Sequence, residues 1–191
     1  MIQQLKRIAI RERVPILSDD GLSLVFALIR AYRIETVLEI GTAIGYSAIS
    51  MASLGVSVDT IERADEMIAE AEKHIKNHGM DRMVRLIYAD ALTYEGLKGS
   101  YDMIFIDAAK AQYRRLFEKY EKHLSPGGII VCDNLRFHDL DPKDVSRHTR
   151  QLLKKIASFR AFLKEHGDYE TTFFDRIGDG MSVSRRRFPW T

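Results

Sequence analysis

Asp107, Lys110, Asp133 and Asn134 have the types and spacing to hold a hard cation and move a proton. Asp107 follows the apolar run Met103 to Ile106, and Asp133-Asn134 follow the run Ile129 to Cys132. If those runs are parallel strands, the residues just after them meet, because ligands of open parallel sheets bind at the strands' carboxyl ends. Two carboxylates and an amide oxygen are hard donors, and Mg²⁺ takes few protein ligands and keeps other positions for water or substrate. Lys110 lies three residues beyond Asp107. Beside a dication its neutral form is favoured, so it could take a proton from a hydroxyl held there. Taken singly, an Asp at a strand end is a helix cap or turn former. The trio of oxygen donors carries the argument.

A second constellation suits a nucleoside cofactor. The segment Val37-Leu38-Glu39-Ile40-Gly41-Thr42-Ala43-Ile44-Gly45-Tyr46-Ser47 sets Gly41 and Gly45 after one apolar run and at the start of a helical pattern. Glycine there allows a tight turn and close backbone approach, and the opening of the helix offers unpaired N–H groups to an anion. Ser47 adds a hydroxyl donor, and Tyr46 is placed to pack beside the ligand. Glu62 closes the next run, 23 residues after Glu39, where a carboxylate can accept both ribose hydroxyls. Asp90-Ala91 follow the third run, where a side chain and a backbone N–H can hold an adenine edge. Strand-to-helix turns need glycine anyway, so the loop alone is weak; three occupied strand ends are stronger.

These groups must be positioned by alternating strands and helices. Strands are predicted at Thr36 to Ile40, Ser57 to Ile61, Val84 to Tyr88, Met103 to Ile106 and Ile129 to Cys132. Each run is too short for a buried helix and is bounded by Gly, Asp or Ser. Helical patterns cover Ala43 to Ser53, Ala64 to His78, Tyr113 to His123 and, more basic, Pro142 to His166. Ser125-Pro126-Gly127-Gly128 reads as a turn. Tyr169 to Asp175 and Met181 to Arg186, joined through Gly178-Asp179-Gly180, predict an antiparallel pair at one sheet edge. The expectation is one α/β domain over residues 1–191, its sheet mainly parallel and covered on both faces.

Bulk properties exclude little. Of 191 residues, 46% are hydrophobic and 29% charged, ordinary for a globular chain. No apolar run approaches the roughly 20 residues of a bilayer span, so no membrane partner is expected. Met1 to Arg13 lacks the apolar core of a signal peptide, and the lone Cys132 fits a reducing cytoplasm. Net charge is +2, which neither demands nor excludes nucleic acid.

The spacing Glu-x-Gly-x-x-x-Gly resembles motif I of class I S-adenosylmethionine methyltransferases. Glu39 to Ser47, Asp107 with Lys110 and Tyr113, and Asp133-Asn134 together resemble the metal-dependent catechol and caffeoyl-coenzyme A O-methyltransferases, from about Val14 to Arg186. The resemblance implies a Rossmann-like seven-stranded sheet and an S-adenosylmethionine site drawing on Glu39, Gly41, Gly45, Tyr46, Ser47, Glu62, Asp90, Ala91, Asp107 and Tyr113. It also implies Mg²⁺ on Asp107, Asp133 and Asn134, Lys110 as general base, and a homodimer. The chain departs from the plant and animal members in its shorter N-terminus and in the small Ala108 and Ala109, which suggest a more open mouth.

Val14-Pro15-Ile16-Leu17, Glu39 to Ala52 and Gly178-Asp179-Gly180-Met181 resemble the bacterial branch, which includes a tRNA 5-hydroxyuridine methyltransferase. That acceptor offers one cation two adjacent oxygens, as a catechol does. Arg147, Arg150, Lys154 and Lys155 at helical spacing, with Arg160, Lys164 and Arg185-Arg186-Arg187, could neutralise phosphates. The tRNA wobble position is therefore the leading expected acceptor. A small phenol of catechol type is the alternative, and a non-catalytic cofactor-binding regulator is a third reading. His74 and His78 are read as a solvated helix end, His138 as a candidate for the site mouth, and Trp190 is left without a role.

Overall fold

Short runs rich in Val, Ile and Leu, buried on both faces, form the parallel strands that such composition favours. The computed structural model describes residues 2–136 and 145–187. Its seven strands are β1 Thr36–Ile40, β2 Ser57–Glu62, β3 Val84–Tyr88, β4 Tyr101–Ile106, β5 Leu124–Cys132, β6 Tyr169–Phe174 and β7 Met181–Arg186. They lie in the order β3-β2-β1-β4-β5-β7-β6, and the first five are mutually parallel. Chain progression reverses between β1 and β4, the switch point at which such sheets bind ligands.

Alternating side chains feed two cores. Val37, Met103, Phe105 and Val131 pack under α1 Ile2–Glu12, α2 Asp19–Tyr32, α3 Tyr46–Ala52 and α4 Asp65–Asn77. Leu38, Ile40, Ile104 and Ile106 face α5 Tyr113–Tyr120 and α6 Arg147–Glu165, which contribute Leu116, Phe117, Phe159 and Leu163. Short 3-10 turns at Lys110–Gln112 and Glu121–His123 bracket α5. Among the described residues, no helix is long and apolar enough to cross a membrane.

The structure departs from the sequence expectations in several places. The N-terminal helices α1 and α2 have no counterpart among the expected elements. Ser125 to Gly128 lies inside β5 rather than before it: Tyr101 pairs with Leu124 but Met103 with Ile129, so the segment bulges from the ladder. The helical stretch expected from Pro142 is seen from Arg147, and residues 142–144 lie outside the described residues. Of the C-terminal strands, only β6 is an edge, because β7 is inserted between it and β5. The antiparallel pairing of Cys132 with Ser182 carries the turn Gly178-Asp179-Gly180 to the carboxyl end of β5.

At the opposite end of the sheet, Asp102 ties the starts of β1 and β4. Its Oδ2 accepts from the amides of Glu35 and Thr36 and from the Thr36 hydroxyl, each at 3.0 Å. Asp102→Ala strands two amides, so it should lower the unfolding free energy by about 1–3 kcal/mol in denaturant titrations; a change below about 0.5 kcal/mol would remove this role.

Candidate active site

Five strand ends and two distant segments enclose a cavity of about 520 Å³. Its walls are Ile40 to Ala43 after β1, Ile61 to Arg63 after β2, Ala89 to Leu92 after β3, and Asp107 to Ala109 after β4. Asp133 and Asn134 after β5, Pro15 to Ser18 before α2, and Gly178-Asp179 between β6 and β7 complete them. Tyr46, Ser47, Gln112 and Leu116 fill the remaining wall. The volume suits one nucleoside-sized ligand with room beside it.

Gly41 makes the crevice possible. Its φ is 98°, and a Cβ there would strike the Asp107 carbonyl. The exits of β1 and β4 thus run together, joined by the Asp107 amide donating to the Ile40 carbonyl at 3.0 Å. Glu62 organises the loop beyond. Its Oε2 accepts from the amides of Thr42 (3.2 Å) and Ala43 (3.1 Å), and Oε1 from those of Arg63 (2.8 Å) and Ala64 (3.0 Å). A carboxylate has about four lone-pair sites, so Glu62 shapes the loop before any ribose reaches it. Asp90 Oδ1 accepts from the Leu92 amide at 2.8 Å and Oδ2 from Arg63 at 3.1 Å. The Leu92 amide and the Arg63 cation hold its carboxyl below the usual range.

Four of the expected site residues do not line the cavity. Glu39 is fully buried beneath the loop, where Thr60 donates to its Oε2 at 2.6 Å and Thr60 and Thr42 share a hydrogen bond of 2.6 Å. Oε1 has no hydrogen-bond partner, and burial pushes the carboxyl up to about 8. Gly45 is the N-cap of α3, behind the wall. Tyr113 belongs to the core, edge-on to Phe159 at 5.7 Å, because α6 covers its ring. Lys110 is half-buried off the wall, yet its charge lowers the proton affinity of both Asp107 and Asp133.

Asp107 and Asp133 come together as expected of residues ending adjacent parallel strands. Burial raises Asp107 to about 6 and Asp133, with Asp107 as its next cause, to about 7. Asn134 has a φ of 63° and donates from Nδ2 to Asp107 Oδ1 at 2.9 Å. Among the described residues no three His, Cys, Asp or Glu side chains form a metal cluster, so any cation here rests on two carboxylates and an amide.

Sequence reasoning missed the walls at Pro15 to Ser18 and Asp179, and the role of His74. Far from being a solvated helix end, His74 is buried and donates from Nδ1 to the Ile44 carbonyl at 3.0 Å, bracing the loop. Only the packing of α4 against the loop, where Ala71 lies beside Gly45, reveals that role. His138 and Trp190 lie outside the described residues.

Glu39 generates a pH prediction. Its folded pKa of about 8 exceeds the ordinary 4.5, so the folded state binds more protons between these values and loses stability as pH rises through the window. Glu39→Gln should therefore gain stability relative to the parent from pH 5 to pH 8, by a few kcal/mol at most. A pH-independent difference in thermal or denaturant unfolding would contradict the buried carboxylic acid.

The model of the O-methyltransferase family matches residues 1–187. The Arabidopsis thaliana tapetum-specific methyltransferase 1 is 30% identical over 91% of this chain and 77% of its own. A catechol O-methyltransferase from Niastella koreensis is 31% identical over 78% of this chain and 72% of its own. A Staphylococcus aureus structure provisionally named a caffeoyl-CoA O-methyltransferase superposes with a TM-score of 0.93 at 38% identity, covering 97% and 92% of the two chains. The Podospora anserina methyltransferase PaMTH1, solved with S-adenosylhomocysteine bound, superposes at 0.81 with 27% identity over 93% of this chain and 84% of its own. With its seven-stranded sheet and strand-end cavity, this chain belongs to the O-methyltransferase family.

Proposed function

We propose that the chain transfers a methyl group from S-adenosylmethionine to a hydroxyl that neighbours a second oxygen, with a divalent cation, preferably Mg²⁺, at Asp107, Asp133 and Asn134. The carrying observation is the single cavity wall that joins the Glu62-ordered loop to the half-buried Asp107 and buried Asp133 carboxyls. S-Adenosylmethionine supplies an electrophilic methyl on a sulfonium. Gly41 to Ala43, Tyr46 and Ser47, with Glu62, Asp90 and Ala91, would hold it, and the related Podospora protein binds S-adenosylhomocysteine.

The donor set fits a hard cation. Two carboxyls whose burial favours the neutral form gain from a dication that offsets their charge. Turning the Asn134 amide about its last bond presents its oxygen beside Asp107. Mg²⁺ commonly binds through one or two carboxylates, leaving positions for other ligands. When bound, such a cation supplies charge that orients and acidifies an acceptor oxygen. Lys110, off the wall in this structure, would reach in to take the acceptor's proton as the oxygen bonds the methyl carbon and the donor's carbon–sulfur bond breaks to leave a thioether. The chain's contribution is alignment and charge.

For the acceptor, the favoured reading is 5-hydroxyuridine in tRNA. The exposed Arg147, Arg150, Lys154 and Lys155 stand on α6, which packs on the Lys110–Gln112 turn. Arg160, paired with Asp175 at 2.7 Å, and Arg186, donating to the Glu121 carbonyl and the Tyr169 hydroxyl, are engaged within the fold. The alternative is a small catechol-type phenol, in keeping with the names of the Niastella relative and of a poplar caffeoyl-CoA O-methyltransferase.

Chelation should abolish transfer and Mg²⁺ restore it. Asp133→Ala should lose the Mg²⁺ response while still binding S-adenosylhomocysteine in calorimetry, and undiminished transfer after chelation would reject the metal. Lys110→Ala should cut kcat by about 10²-fold or more with little effect on acceptor KM; an unchanged kcat would reject the base. Reversing Arg147, Arg150 and Lys154 to Glu should weaken tRNA methylation more than tenfold and flatten its salt dependence, leaving caffeate turnover intact. Equal effects on both acceptors would reject the RNA face.

A further inference from the structure

The cavity wall that sequence reasoning missed is built from segments at opposite ends of the chain, Pro15 to Ser18 and Gly178-Asp179. One exposed side chain joins them. Asp20 Oδ2 accepts from the Gly178 amide at 2.9 Å, across 158 residues of sequence. Its Oδ1 accepts from the Ser18 hydroxyl at 2.6 Å and the Gly21 amide at 3.0 Å. These donors, the Ser18 hydroxyl foremost, hold its carboxyl below the ordinary range.

The contact is close on the Gly178 side as well. Gly178 has a φ of 51°, and a Cβ there would lie 2.7 Å from Ser18 Oγ and 3.9 Å from Asp133 Oδ1. The hairpin thus lies directly against Ser18 at the α2 entry and close to the Asp133 carboxyl. The hairpin is fixed on its other side by the amides of Leu135 and Arg136, which donate to the carbonyls of Gly180 (2.8 Å) and Asp179 (2.5 Å). Asp179, so placed, acts electrostatically on both Asp107 and Asp133.

We propose that Asp20 is a positioning residue for the acceptor: it locks the Pro15-to-Ser18 wall and the Gly178-Asp179 hairpin into one rim beside Asp133. The proposal rests on the reading that the acceptor sits at the Asp107 and Asp133 end of the cavity. Asp20 touches no reacting atom. It acts by holding two walls that would otherwise move independently. A carboxylate is not essential, since the Asn side-chain oxygen can still accept from the Gly178 amide.

The test uses the full chain with Mg²⁺, caffeic acid and 5-hydroxyuridine tRNA as acceptors, and S-adenosylhomocysteine calorimetry. Asp20→Ala should raise acceptor KM about tenfold, the order expected for losing a charged hydrogen bond. Its S-adenosylhomocysteine affinity should stay within about twofold. Asp20→Asn should restore acceptor KM, and Gly178→Ala, which pushes the rim apart from the other side, should reproduce the Asp20→Ala effect. Hydrogen exchange should quicken in residues 15–18 and 176–180 together in Asp20→Ala. An unchanged acceptor KM, an equal loss of cofactor affinity, or failure of Asp20→Asn to rescue would overturn the proposal, the last assigning the effect to charge at the start of α2. If the parent enzyme methylates neither acceptor, the acceptor reading has failed. The exchange experiment then decides the rim: quickening in both segments supports it, and no change or a change in one alone refutes it.

Discussion

The close passage of β1 and β4 at Gly41 and Asp107 governs the rest of the molecule. The two strands are sequence-distant neighbours, paired from Val37 with Met103 to Ile40 with Ile106. At their exits the Asp107 backbone occupies the space where any side chain at position 41 would go. Gly41 has a φ of 98°, a conformation open to glycine at little cost. Because the gap is closed by backbone, the loop after β1 and the carboxylate after β4 are held on one wall. The two ends of the cavity, proposed to hold donor and acceptor, meet at that wall.

Polar groups beneath this wall keep it rigid. The Glu62 carboxylate gathers four loop amides, and the buried Glu39, Thr60 and Thr42 form a hydrogen-bonded relay underneath. His74 braces the same loop from α4 through the Ile44 carbonyl. Each would be costly if left unpaired in the core. Glu39 meets that cost by holding a proton, which burial favours up to about pH 8. Asp107 and Asp133 face the same problem at the cavity surface, where the proposed cation would offer a different solution.

What was legible in the sequence follows from how local each signal is. β4 and the end of β5 stood out because burial on both faces makes their runs continuously apolar, β1 to β3 as short apolar runs between turn residues, and Asp107, Asp133 and Asn134 followed from strand ends alone. Glu39 lies beneath the cavity wall because side chains alternate along β1 and it points away from the face of Leu38 and Ile40. Tyr113 resembles a motif residue, but whether its ring meets cofactor or core depends on α6, which crosses it from some 40 residues away. Ser125 to Gly128 has turn composition, yet strand pairing resumes on either side and absorbs it as a bulge. Arg160 and Arg186 were counted with the basic surface, although partners from distant strands and turns engage them.

The two ends of the cavity differ in the same respect. The donor end is assembled from turns that each directly follow a strand, so the sheet alone fixes it. The acceptor end needs an N-terminal segment to meet a C-terminal hairpin, and β7 brings that hairpin in by pairing antiparallel with β5. A hairpin tip and a helix entry can be altered without disturbing a parallel ladder, because neither lies within it. Under the proposed function, one donor site could serve either a phenol or a nucleotide, with the choice made where the chain's two ends are brought together. In this chain the Asp20 to Gly178 hydrogen bond closes that junction, beside the Asp133 carboxylate.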